Sequence, residues 1–295
     1  MGDVVIRPMH PEDVPTSEAL SAEANAGTER YTAATDEPPV LSRSPVRASN
    51  WITRTNHLLA HDPRGCWVAE RDGEQLGFVV SFRRDLLWLL ASFYVRPGFQ
   101  GSGIGRPLLD AALAYSRGCL RAMFASSPDP KAYRRYRLAG FSLHPEMTLR
   151  GEVDRGQIPM IEHVREGTPS DFDLMDSIDR QRRDAAHGVD HPLLASMYRV
   201  LVTDHTTGSG YVYLDTELQP CLLGATNART AQRLLWEAIA AHTPGSPVVV
   251  GNVTQANEWA VDVGLEARLS VSLSGYLALR AMRPPTPYLH HAALM

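Results

Sequence analysis

The sequence predicts an α/β protein built from two domains, and three observations carry that prediction. At 295 residues the chain exceeds the usual single domain. Strand-like and helix-like stretches alternate through its first half and end at a polar stretch, Gly151 to Gln157, that reads as a linker. The second half repeats the same plan weakly. The expected domains are residues 1–150 and 158–295.

Val4-Val5-Ile6 is a short β-branched strand, and Pro11-Glu12-Asp13 opens a helix running to about Ala24. Gly27 to Ser44, rich in Thr, Pro and acidic residues, reads as a loop. Arg47 to His61 sets Ala48, Trp51, Ile52, Leu58 and Leu59 at helical spacing. Gly65 to Glu70 and Gln75 to Phe82 are strands joined through Asp72-Gly73, a strong hairpin signal. Leu86 to Val95 is almost wholly apolar, as a strand buried on both faces would be. Leu108 to Tyr115 is helical, and Pro107 in its first turn forgoes an N–H that has no partner there. Ala122 to Ser126 is a strand, Asp129 to Leu138 a helix stopped by Gly140, and Phe141 to Leu149 a strand.

The most informative stretch joins the Val95 strand to the helix that follows: Val95-Arg-Pro-Gly-Phe-Gln100-Gly-Ser-Gly-Ile-Gly105-Arg-Pro-Leu-Leu109. A strand-to-helix join leaves backbone N–H groups unpaired at the positive end of a helix dipole, which suits phosphate oxygens. Glycines there let the backbone take φ > 0 and approach an anion closely. Gly98 and Gly103 have P-loop separation, but Ile104-Gly105 stand where Lys-Ser/Thr would be required. A dinucleotide fingerprint needs a third glycine where Leu108 stands. Both readings fail.

Gln100-x-x-Gly103-x-Gly105 instead resembles the Q/R-x-x-G-x-G/A acyl-CoA loop of the GNAT superfamily of N-acetyltransferases, and the flanking V-x-P-x-aromatic and G-x-x-L-L residues agree. Asp129-x-x-Ala132-x-x-x-Tyr136-x-x-x-Gly140-Phe141 resembles the superfamily's second signature, N-x-x-A-x-x-x-Y-x-x-x-G-F. The resemblance implies, in each of two GNAT-like domains, a mixed, mostly antiparallel central sheet flanked by helices and splayed at its middle strands. It implies acetyl-CoA as co-substrate and no metal. The main chain of Phe93, Tyr94 and Val95 would pair with pantetheine, and the Val95 N–H would stabilise the oxyanion. Gln100, Gly101, Ser102, Gly103, Ile104 and Gly105 would cradle the pyrophosphate. Arg106 and Arg96 are either phosphate partners or solvated charges. Tyr136 falls on the family's tyrosine, and a phenol with a pKa near ~10 suits protonation of the leaving thiolate. Asp129 replaces the usual asparagine, as a pantetheine contact or as a helix N-cap.

A general base is missing where the resemblance would place one, because Leu87 to Tyr94 holds no carboxylate. Its candidates are a water chain, a residue near Glu29 or Tyr31, and a residue of the second domain.

In the second half, Met160 to Val164 reads as a strand, and Pro169-Ser170-Asp171 starts a helix as Pro11-Glu12-Asp13 does. Gly210 to Leu214, Gln219 to Gly224 and Val248 to Asn252 are strand-like, and Ala228 to Ala241 and Asn257 to Val263 are helical. Gly264-Leu265 matches Gly140-Phe141, and Leu273 to Arg280 closes the sheet. The matching loop, Gly224 to Ala231, has one glycine, and Ala260 stands at the tyrosine's counterpart. This domain is expected to be degenerate, without acetyl-CoA or catalysis, and to wall the substrate cleft. His187 and His191 have the spacing of a metal pair, but Gly188 and Pro192 break the helix that would align them. They read as a solvated turn, or as a polar cluster lining a cleft, before a helix from Asp190 through Val200, and His290-His291 as surface or as a tail folded back onto the first domain.

A net charge of −4 gives no argument for nucleic acid or an anionic membrane surface. No stretch approaches ~18 uninterrupted apolar residues, and Met1 to Pro8 does not resemble a signal peptide. Cys66, Cys119 and Cys221 fit reduced thiols, so a cytoplasmic monomer or homodimer is expected. The expected function is N-acetylation of a small-molecule amine at one site in the first domain. The alternative is a catalytically inactive acyl-CoA-binding or sensing module.

Overall fold

The β-branched run near the amino end pairs as its composition predicts. In the computed structural model, which describes residues 3–28 and 43–295, β1 (Val5–Pro8) lies antiparallel to β2 (Cys66–Arg71). A 3-10 turn at Pro11–Asp13 leads into α1 (Val14–Thr28), and α2 (Pro45–His61) begins where the Ser44 side chain accepts from Arg47 N. Arg7 and Asp13 fix that first turn with paired contacts of 2.8 and 2.9 Å, while the Asp13 carboxylate accepts from His10 N at 2.7 Å. Glu29 and Tyr31, and most of the predicted Gly27–Ser44 loop, lie outside the described residues.

β2 turns into β3 (Glu74–Arg84) through Asp72 and Gly73, both at positive φ as a two-residue hairpin requires. β4 (Leu87–Val95) runs antiparallel to β3 from Arg84↔Leu87 to Gly77↔Val95. α3 (Gly105–Tyr115) then packs back on β2 and β3, and β5 (Arg121–Ser126) returns parallel to β4. Phe78, Val79, Val80, Phe82, Trp88, Leu89, Leu108 and Leu109 form the buried centre of this first sheet. The parallel pairing extends over Leu87 to Leu89 only, against Arg121 to Met123. Burial of β4 loosens a little further on, at Ala91 and from Phe93, so the sheet opens toward Val95. That is the splay the sequence led us to expect.

Compactness divides the chain into Met1–Phe124 and Ala125–Met295. The second unit begins with α4 (Pro130–Leu138) and β6 (Ser142–Gly151). A two-residue β7 (Arg165–Glu166) and a 3-10 turn at Pro169–Asp171 precede α5 (Phe172–Arg183) and α6 (Asp190–Met197). There follow β8 (Arg199–His205), β9 (Gly208–Leu214), β10 (Pro220–Ala225), α7 (Ala228–Ala241), β11 (Val248–Thr254), α8 (Glu258–Glu266), β12 (Ser270–Arg280) and β13 (Tyr288–Leu289). One antiparallel sheet runs β13-β10-β9-β8-β7. β6 is antiparallel to β12 on one edge and to β11 on the other. Leu201, Val212, Leu223, Leu234, Leu235, Ile239, Val250 and Val263 fill the core of this unit.

Several local expectations are corrected. Met160 to Val164 is not a strand: Ile161 and Val164 pack on the apolar core from an irregular segment, and pairing starts at Arg165. The helix opening at Asp190 ends at Met197, and Val200 belongs to β8, whose β-branched run favours a ladder over a helix. α8 continues past Gly264, which is a packing glycine: a Cβ there would sit 2.8 Å from Leu149. The left-handed turn after α8 falls on Arg268 instead. His187 and His191 are completely buried, so they are no solvated turn. His290 and His291 are buried too, because the carboxyl-terminal segment folds against β6 and His290 Nε2 meets Glu146 Oε1 at 2.5 Å.

Candidate active site

The glycine loop is built by three left-handed residues. Gly98, Gly101 and Gly103 have φ of 87°, 86° and 94°, a region that β-carbons disfavour. A Cβ added at any of them would meet no described atom within 4 Å. Packing therefore does not require these glycines, and backbone conformation does. The loop is held from within: Ser102 N and Oγ both donate to Phe99 O, and Phe99 N donates to Arg96 O. The Gln100 side chain donates to Val95 O at 3.2 Å, tying the loop to the end of β4.

α3 starts at Gly105 after Ile104, which offers no side chain to cap the helix. Its first turn presents main-chain N–H groups, with the dipole adding partial positive charge. Gly101, Ser102 and Gly103 are exposed, whereas Ile104 and Gly105 are buried under the loop. Phe93, Tyr94 and Val95 are half-buried on the opened part of β4, and the Tyr94 ring leans on Phe78 at 5.6 Å. An open strand edge beside an uncapped helix start offers acceptors and donors for a pantetheine arm and a pyrophosphate. The residues present fit an acyl-CoA.

The two arginines differ. Arg96 is engaged with Glu74, and its Nε is buried with no hydrogen-bond partner among the described residues. Arg106 is 85% exposed, 3.8 Å from Asp110 one turn on, and so is available to a solvent-side phosphate. Burial pushes the Cys66 thiol up to about 12, which removes it as a nucleophile at neutral pH.

The remaining predicted residues belong to the second unit. Asp129 N-caps α4, its carboxylate accepting from Lys131 N at 2.8 Å. Tyr136 is buried on α4, and its carbonyl accepts from Phe141 N across the left-handed Gly140. One turn earlier, Tyr133 meets Tyr276 edge-on with ring centroids 4.3 Å apart. Burial, with Tyr276 beside it, raises the Tyr133 phenol. The helix thus carries two tyrosines, and the motif alone distinguishes Tyr136. Sequence reasoning missed the buried pair of Glu146 on β6 with His290 just after β13, since nothing local joins residues so distant in the chain.

The second unit's strand-to-helix turn is made differently. β10 passes to α7 through Thr226 and Asn227, and the Asn227 side chain caps the helix by accepting from Thr230 N at 2.9 Å. Gly224 lies within β10 and not in the turn. Ala260 is buried on α8.

Residues 29–141 match the acetyltransferase (GNAT) family. An uncharacterised N-acetyltransferase of Archaeoglobus fulgidus is 39% identical over 66 residues, 20% of this chain and 45% of that protein. An aminoglycoside N(6')-acetyltransferase of Stenotrophomonas maltophilia is 39% identical over 83 residues, 24% of this chain and 54% of its own length. The chain thus spans about half the length of the curated relatives it matches. Among solved structures, a putative acetyltransferase from Pyrococcus horikoshii aligns with a TM-score of 0.73 at 18% identity, over 99% of this chain and 95% of that one. A tandem GNAT protein from the clavulanic acid biosynthesis pathway aligns with a TM-score of 0.58 at 14% identity, over 95% and 99%. With the glycine loop, the splayed sheet and the tyrosine motif in place, residues 29–141 match the GNAT family, and the chain as a whole is similar in fold to a tandem GNAT protein.

Proposed function

We propose that the protein is an acetyl-CoA-dependent N-acetyltransferase acting on a small-molecule amine, with one active site per chain. The observation that carries this reading is the uncapped start of α3 behind three left-handed glycines with open space at their α-carbons. Main-chain N–H groups of Gly101, Gly103, Ile104 and Gly105 hold the pyrophosphate, and the opened edge of β4 at Phe93 to Val95 orients pantetheine. The Val95 N–H stabilises the oxyanion formed when the amine attacks the thioester carbonyl. Tyr136 gives its phenolic proton to the departing thiolate, and the proton that the amine nitrogen sheds as the amide forms restores the phenol, so no net proton is consumed. Asp129 acts through α4, capping the helix that carries Tyr136. The aminoglycoside acetyltransferase among the relatives supports an amine of small-molecule type. Residues 1–150 are read as the active domain and 158–295 as a GNAT-like domain without its own acetyl-CoA site, a reading that the Asn227 cap of α7 supports.

The test is a calorimetric titration of the full chain with acetyl-CoA. One site is expected per chain, lost in Gly103→Asp and in Ser102→Glu, the latter at an exposed residue with ordinary backbone. Two sites would overturn the single-site reading. Acetyl-CoA binding without acetyl transfer to any amine in a broad screen would favour a sensing module.

A further inference from the structure

Four side chains with no part in acetyl transfer converge within the second unit. α5 supplies Asp176 and Asp179, the turn behind it His187, and the first turn of α6 His191. Asp179 Oδ2 lies 2.7 Å from His187 Nδ1 and 3.2 Å from His191 Nε2. Asp176 Oδ1 lies 3.4 Å from the same His191 nitrogen. Metal–ligand bonds of about 2.0–2.1 Å in a tetrahedral site set donor atoms roughly 3.3 Å apart; the His191 contact at 3.2 Å has that spacing, and the His187 contact at 2.7 Å would have to lengthen to admit an ion.

The outward-facing atoms are also held. The Tyr213 hydroxyl is 3.2 Å from His191 Nδ1, and the Tyr211 hydroxyl donates to Asp179 Oδ1. Partners of this kind fix the orientation of metal ligands. His187 Nε2 is buried with no hydrogen-bond partner among the described residues, so the polar anchoring of that ring runs through Nδ1. The Arg183 guanidinium is taken up by main-chain oxygens of Ala185, Ala186, Leu294 and Met295. Asp179, His187 and His191 are fully buried, while the Asp176 side chain is 17% exposed and marks the way in.

We propose that Asp179, His187 and His191 bind one divalent transition-metal ion of the zinc class, with Asp176, which accepts from Gly188 N and lies 3.4 Å from His191, as an outer partner. Two imidazoles with carboxylates suit zinc or cobalt better than the hard, oxygen-seeking magnesium or calcium. The ion would clamp α5 to α6 across the turn from Asp184 to Val189. The competing occupant of the same geometry is a pair of imidazole protons, both rings donating to Asp179.

The experiment uses the full chain stripped with a chelator and titrated with ZnCl₂ by calorimetry, with CoCl₂ as a spectroscopic probe. One equivalent of zinc, visible ligand-field bands from cobalt and a raised melting midpoint are expected. His187→Asn should abolish binding. Asp176→Asn, at the partly exposed residue, should weaken it roughly 10–100-fold with the fold intact. It decides the matter if His187→Asn fails to fold. The exposed, stacked pair His163 and His205, 4.4 Å between centroids, supplies a control, and His163→Ala should change nothing. Absence of zinc uptake would overturn the proposal in favour of a hydrogen-bond network only. Uptake unchanged in both cluster variants, or lost in His163→Ala, would overturn it as adventitious surface binding.

Discussion

The two compact units solve one problem alike and another differently. Each opens one helix, α1 in the first and α5 in the second, with an arginine six residues before an aspartate: Arg7–Asp13 and Arg165–Asp171, both bidentate, both with the carboxylate accepting a main-chain N–H. Proline stands at the start of both turns. Further on they part. The turn into α3 spends three left-handed glycines and leaves the helix uncapped, whereas the turn into α7 is short and closed by Asn227. What the fold needs is kept in both halves. What a bound pyrophosphate would need is present in one.

The sharpest way to break this comparison is to charge both turns. Ser102→Glu should weaken acetyl-CoA binding about 100-fold, since hydrogen bonds to a charged group contribute roughly 1.5–3 kcal/mol each. Thr226→Glu in the other turn should leave the affinity unchanged. Comparable losses in both would refute the division of labour. Next in size is Tyr136→Phe, expected to lower kcat about 100-fold while KM for acetyl-CoA holds. An unaltered kcat would shift the acid to another group.

Asp171→Asn tests the shared helix start through pH. The Arg165 contact and the Thr168 N–H outweigh burial and hold the Asp171 carboxyl down at about 2 in the folded chain. Its stabilising effect is therefore complete above the ordinary carboxylate pKa and fades as pH falls from about 4 toward 2. The melting midpoint of Asp171→Asn should lie below wild type at pH 6 and converge with it near pH 2. A constant gap across that window would assign the loss to packing. The smallest effect belongs to Asn227→Ala, about 1 kcal/mol of stability for a lost N-cap, with acetyl-CoA binding untouched.

Much of the first unit was legible. Asp72-Gly73 gave the hairpin because only a left-handed pair closes a two-residue turn, and the glycines of the loop announced positive φ that the structure bears. The bounds of α7 were readable from periodicity, Ala228 to Ala241. Non-local facts were not. Nothing in Phe141 to Leu149 says that β6 pairs with strands more than a hundred residues later. His187 and His191 looked solvated because a Gly-Pro-bounded turn usually is, and their burial follows from tyrosines on β9 that no local pattern connects to them. Ala185, Ala186 and the carboxyl-terminal residues cover the same turn.

The pairing of β6 has a consequence for how the chain is made. During synthesis β6 leaves the ribosome long before β11 and β12, its partners on both edges. Until they arrive it is a strand with two open edges, the condition that invites pairing between chains. A product ended near Gly151 would keep every residue assigned to acetyl transfer and still expose both edges of β6. Dissection at the apparent linker is expected to yield aggregates, and ribosome-stalled chains should become protease-resistant only once Arg280 has emerged.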